Sequence, residues 1–233
     1  MRAATVPAAA AAAARRAARK LGLVGAAAIV SLALTCVMGA RGQGLDFGTP
    51  TITGDQGAWE EVKAATMRQN GTSYRSKASN GDTGEYSHGS SHTFEPYHEG
   101  VKETVTVGGE TRFRLRTAGG PGVWLCNPPA QGDSSLGPLK QALASIHESV
   151  DVSRGADAMI DGTPVHSYTL HITLQASTGA VSSDLIAYIG AQNGLPLRWV
   201  TPDSFGSTAP PIVTDYYDYG APIRITLPAC GTS

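Results

Sequence analysis

Charge and aromatic residues are both scarce in this sequence: 16% of its 233 residues are Asp, Glu, Lys or Arg, and 6% are Phe, Trp or Tyr. Only three cysteines occur, Cys36, Cys126 and Cys230. A metal centre would need more ligands, and a redox pair usually sits close together in sequence. Enzyme signatures are missing too. There is no Gly-x-Ser-x-Gly, no His-Glu-x-x-His, no phosphate loop and no dinucleotide fingerprint. No internal repeat is visible, and the only low-complexity tract is the alanine-rich start. The absent motifs leave no reaction class and no cofactor indicated.

Long apolar runs are limited to one. Arg2, Arg15, Arg16, Arg19 and Lys20 precede "LGLVGAAAIVSLALTCVMGA", Leu21–Ala40, which carries no charge. A basic start, an apolar stretch and small residues around Ala40-Arg41-Gly42 read as an export signal over residues 1–42. Two variants share these features. "ALTC" ends on Cys36 as a lipobox ends on its lipidated cysteine, although Ala33 and Thr35 depart from the usual pattern. The run is also near the ~20 residues that span a bilayer, so it could stay as an anchor. Either way the reading is an exported protein of the periplasm or cell envelope, tied to a membrane only through this segment.

Removing residues 1–42 takes away six basic and no acidic residues. The remainder has 12 basic against 19 acidic residues, a net charge of −7. An acidic domain is a poor partner for a phosphate backbone, which excludes nucleic acid as the expected ligand. In an oxidising compartment, Cys126 and Cys230 are most simply a structural disulfide.

Residues 43–54 read as a linker or edge strand, and 55–233 as one domain with a real core. Asp55 can cap a helix that begins at Gln56 and stops at Gly71, with Trp59, Val62, Thr66 and Met67 on one face. From Thr72 short alternating runs separated by glycines indicate antiparallel strands. "VKETVTVGGETRFRLR" turns at Gly108-Gly109, "AMIDGTPVHSYTLHITLQ" at Asp161-Gly162, and "DLIAYIG" meets "LPLRWVT" across Gln192-Asn193-Gly194. Leu139, Leu143, Ile146 and Val150 form a stripe that predicts a second helix over about 137–149. Ile223, Ile225 and Leu227 alternate as a closing strand after the break at Gly220 and Pro222. The expected class is α+β: a single strongly curved antiparallel sheet, a half-barrel, with two or so helices on its concave face.

Two helices over so wide a sheet leave two outcomes open. An apolar hollow could remain for a hydrophobic ligand, or the side chains could fill it. The residues expected to line such a hollow, or to form the core in its place, are Trp59, Val62, Phe113, Leu115, Trp124, Leu139, Leu143, Ile146, Tyr168, Leu170, Ile172 and Trp199. "SHGSSHTFEPYH" sets Ser90 and Ser91 beside His88, His92 and His98. It supports a remote hydrolase or metalloprotein reading, against the plainer reading of a polar surface strand.

Several phrases, taken in order, carry a resemblance. "AWEEVKAATMRQNGTSYR", "KETVTVGGETRFRLR", "GVWLC", "MIDGTPVHSYTL", "GLPLRWV" and "TDYYDYGAPIRITLP" are similar to exported proteins of the lipoprotein-carrier (LolA/LppX-like) superfamily, over residues 55–228. The match includes the Tyr74-Arg75 pair and the Tyr-Asp-Tyr-Gly ending. The Gly108-Gly109 turn, where dedicated carriers have aspartate-glycine, and the cysteine pair set this chain in a looser exported branch. The resemblance implies a curved half-barrel whose cavity holds acyl chains or other lipids. The function expected is a non-catalytic envelope protein that binds or carries a lipid or other apolar ligand. The alternative is an envelope protein-interaction or sensor module of the same fold without cargo.

Overall fold

Asp55 accepts a hydrogen bond from the Ala58 amide at 3.0 Å and starts α1, Gln56–Asn70, as a short carboxylate at the N-cap does. The computed structural model describes residues 50–97, 100–126, 147–176, 179–202 and 209–231. The export segment, including Cys36, therefore lies outside the described residues. Helix α1 buries Ala58, Trp59, Val62, Ala65, Thr66 and Gln69. Met67, expected on that face, is instead 59% exposed. One step past Thr66 turns about 100° around the axis and carries the side chain out of the stripe.

Among the described residues fourteen strands make one open sheet. In chain order they are β1 (Thr51–Gly54), β2 (Tyr74–Ala78), β3 (Thr83–Ser87), β4 (Ser90–Tyr97), β5 (Gly100–Val107), β6 (Glu110–Thr117), β7 (Gly120–Pro121) and β8 (Leu125–Cys126). Then follow β9 (His147–Arg154), β10 (Ala158–Ile160), β11 (Thr163–Ala176), β12 (Gly179–Gly190), β13 (Pro196–Thr201) and β14 (Ile212–Tyr217). The spatial order is β1-β9-β11-β12-β13-β14-β2-β3-β4-β5-β6-β7, with β10 on β11 and β8 on β6. Every pair is antiparallel except β1 with β9. The hairpins turn where glycine supplies the left-handed conformation: φ is 60° and 84° at Gly108 and Gly109, and 48° and 80° at Asp161 and Gly162.

Partners opposite each other in register share a face of the sheet. On the inner face, Tyr168, Leu170 and Ile172 of β11 lie beside Ala187 and Leu185 of β12, and Ala187 beside Trp199 of β13. Together with Val150, Val152 and the α1 stripe they form the core cluster. Burying each large apolar side chain there contributes about 1.5–3 kcal/mol. The outer face carries ion pairs instead, among them Arg198–Asp215 at 2.5 Å and Arg75–Glu85 at 2.9 Å. The alternation apolar-in and polar-out is what an antiparallel sheet with one covered face requires.

Two expected elements differ. Among the described residues α1 is the one helix. The stripe residues Leu139, Leu143 and Ile146 lie outside those residues, but the last turn of that expected helix is strand. β9 begins at His147, and Val150 and Val152 pair with Ile172 and Leu170. Two valines spaced by two suit a ladder better than a helical stripe. Among the described residues after β14 there is no strand either. Both sides of β14 are occupied, by β13 and β2. At Asp218 (φ 53°) and Gly220 (φ 78°) the chain leaves the sheet. Ile223, Ile225 and Leu227 still alternate as half-buried against exposed Pro222, Arg224 and Thr226, without a ladder of their own.

Candidate functional site

Helix α1 packs over β9, β12 and β13. Where it ends, a cavity of about 300 Å³ opens over β13, β14, β2, β3 and β4, with Thr66, Gln69 and Asn70 of α1 as one wall. The sheet contributes Trp199 and Thr201, Thr214 and Tyr216, Tyr74 and Ser76, and Thr83, Tyr86, Thr93 and Glu95. Asp82, at the β2–β3 turn, completes the carboxylate end.

Three tyrosines form the floor at the other end. Tyr74 stacks on Tyr86 with ring centroids 4.5 Å apart, and Tyr216 meets Tyr74 edge-on at 5.8 Å. The Tyr86 ring folds back over Gly84, where an added Cβ would lie 2.6 Å from a ring carbon. Tyr219 reaches the same cluster from the chain beyond β14, 5.6 Å from Tyr74. Its hydroxyl donates to the Pro196 carbonyl at 2.5 Å and accepts from the buried Gln69 amide at 3.1 Å. This arrangement locks the end of α1 to the sheet. Burial holds all four phenols above their usual pKa, so they are neutral hydrogen-bonding groups at physiological pH.

At the opposite end Asp82 is half-buried. Burial raises its pKa, the Asn80 amide at 2.9 Å partly offsets this, and the charge of Glu95 adds to the rise. Glu95 is paired with Lys102 at 3.0 Å.

The described residues expected along the cavity fall into four groups. Trp199 lines it. Trp59, Val62, Tyr168, Leu170 and Ile172 pack as core against α1. Phe113 and Leu115 lie farther out on β6, Leu115 at the surface. Trp124 sits under the Arg114 guanidinium at 4.5 Å; Arg114 is opposite Glu103 in register, so this pair belongs to the outer face. The residues missed were those of β2, β3, β4 and β14. An apolar-residue search passes over Ser76, Thr93 and Thr214; the signal that could have found them is the two-residue spacing of Tyr74, Ser76 and Ala78.

The histidine segment is split. His88 occupies the β3–β4 turn with φ 46°. His92 on β4 bonds the Glu103 carboxylate at 2.8 Å, and His98 lies outside the described residues. Among the described residues no group of three His, Cys, Asp or Glu side chains is placed to hold a metal ion. Cys126 and Cys230 are joined by a disulfide with Cα atoms 5.7 Å apart. It fastens the final segment beside β6, where Arg112 also donates to the Pro228 carbonyl.

No family model matches the chain, and no curated protein matches it by sequence. Among solved structures it is similar to the lipoprotein LppX of Mycobacterium tuberculosis, at 10% identity and a TM-score of 0.41 over 74% of this chain and 100% of that one. LprF from Mycobacterium bovis gives 12% identity and a TM-score of 0.44, over 76% of this chain and 99% of that one. MucB gives 16% and 0.34, over 75% and 62% respectively.

Proposed function

We propose that this chain is an exported envelope protein that binds or carries a hydrophobic ligand, a lipid or an acyl chain, and does so without catalysis. The observation that carries the reading is the cavity at the end of α1. Among the described residues α1 is the one helix on the inner face, and the cavity begins where it ends. The aromatic floor of this cavity gives an apolar chain a surface that water would otherwise wet. A volume of about 300 Å³ is at the small end of ligand sites, suited to one chain or one ring system. Export, indicated by the N-terminal segment, would bring the protein to lipid.

The test is native mass spectrometry, with lipid extraction, of the full chain produced in an exporting bacterial host. The expected result is co-purifying amphiphile at one equivalent, displaced by an added dodecyl-chain probe. Empty protein in every preparation, with no saturable uptake of the probe, would overturn the reading.

A further inference from the structure

The wall chemistry of the cavity is one-sided, and this bears on the polar end of its ligand, given the binding reading above. Among the described residues no Lys, Arg or His lines the cavity, while Asp82 and Glu95 do. Lys102, opposite Glu95 in register, is already engaged with Glu95. Asp82 has only the neutral Asn80 amide as side-chain partner, and its carboxylate is half-buried. Lys102 offsets the burial of Asp82 only in part, because it is paired with Glu95; a half-desolvated carboxylate with no cation of its own is costly, and a bound cation lowers that cost. Helix α1 turns its C-terminal end, the negative end of its dipole, towards the cavity as well.

The long axis follows from the register. Asp82 precedes β3 and Tyr86 lies within it four residues on, with its ring reaching back over Gly84, so the tyrosine floor begins two residues from the carboxylate, about 7 Å at the rise of a strand. A ligand with its head at Asp82 lays its apolar chain over the tyrosine rings. The faces of Tyr74, Tyr86 and Trp199 favour positive over negative charge for any part of the head that reaches them.

We propose that the ligand is an amphiphile with a cationic, ammonium-type head: Asp82, with Glu95, holds the head and the tyrosine floor holds the apolar chain. An anionic head of the same chain length meets two carboxylates and one cation, Lys102, that is already paired with Glu95, and is disfavoured.

The experiment titrates the full chain, purified without detergent, with three dodecyl probes: dodecylammonium, dodecanoate and dodecyl glucoside. The expected order is ammonium tightest, by about tenfold over the glucoside, with dodecanoate weakest; such a factor is about 1.4 kcal/mol. The ratio of ammonium to glucoside affinity should fall about tenfold in Asp82→Asn, and by less in Glu95→Gln because Lys102 already answers that charge. A general loss of structure would lower both affinities and leave the ratio unchanged. Equal or tighter binding of the glucoside or of dodecanoate overturns the head-group assignment and leaves the binding reading standing. Failure of all three probes to bind overturns both.

Discussion

The rings of Tyr74 and Tyr86 stack at 4.5 Å with their planes 12° apart, and Gly84 is the space that permits it. Strand pairing puts Tyr74 directly opposite Tyr86, so the β2–β3 hairpin alone supplies two of the three floor tyrosines. A methyl group at position 84 would collide with the far end of the Tyr86 ring, at 2.6–2.9 Å. Gly84→Ala is therefore expected to cost about 1–3 kcal/mol of stability and to displace Tyr86 from the stack. Chemical denaturation gives the first quantity, and loss of co-purifying amphiphile reports the second.

The core under α1 should behave differently from the cavity. Leu170 is fully buried against Leu185, beside Val62 of the helix. Leu170→Ala should destabilise the fold by about 2–5 kcal/mol, as cavity formation in a packed core does. Thr214→Ala, at the cavity wall, should cost under about 0.5 kcal/mol, the range of substitutions that break no packed contact. Equal losses in urea-denaturation midpoints would contradict the division drawn between core and cavity.

The disulfide closes a separation of 104 residues. A loop of that length corresponds to about 4–5 kcal/mol of unfolded-state entropy. Replacing both Cys126 and Cys230 with serine should remove a comparable amount, and adding reductant to the wild-type chain should do the same. Denaturation with and without reductant measures both effects; an unchanged midpoint would show that the tail is held by other contacts.

Glu103 gives the protein an acid-sensitive point. It lies on the outer face at 4% exposure, bonded by Arg114 at 2.8 Å and His92 at 2.8 Å. Burial raises its pKa, but the hydrogen bonds from Arg114 and His92 outweigh burial and leave it below the usual glutamate range. A depressed folded pKa means stabilisation present above the unfolded value, about 4.3, and lost as pH falls through the folded one. Asp82 has the opposite sign: its raised pKa stabilises the fold as pH drops through it. Stability measured from pH 7 to pH 3 should fall at the acid end, and Glu103→Gln should flatten that limb. At pH 7 the same substitution should cost about 3 kcal/mol, because Arg114 loses its buried partner.

Much of the fold was legible because local chemistry and tertiary packing agree. The Asp55 cap, the Gly108-Gly109 and Asp161-Gly162 turns, and the alternation of Tyr168, Leu170 and Ile172 all stand where the sequence puts them. The cavity was less legible for two physical reasons. Its walls are mostly hydroxyls and short side chains, which an apolar pattern does not select. Its floor also depends on β14 lying beside β2, a pairing of residues about 140 apart that no local signal encodes. The closing tyrosines illustrate this. Tyr216 and Tyr219 turn inward to the cluster while Tyr217, between them, is exposed. In sequence they mark a strand end, and only the long-range pairing makes two of them part of a site.

Trp199 is the direct reporter of the central claim, because it is the one tryptophan that lines the cavity. With Trp59 and Trp124 changed to phenylalanine, its emission should shift to the blue and saturate at one equivalent of a dodecyl-chain amphiphile. Filling the cavity with Thr214→Phe should abolish the shift. An emission spectrum that does not move at saturating probe, or binding that survives Thr214→Phe unchanged, would contradict the account.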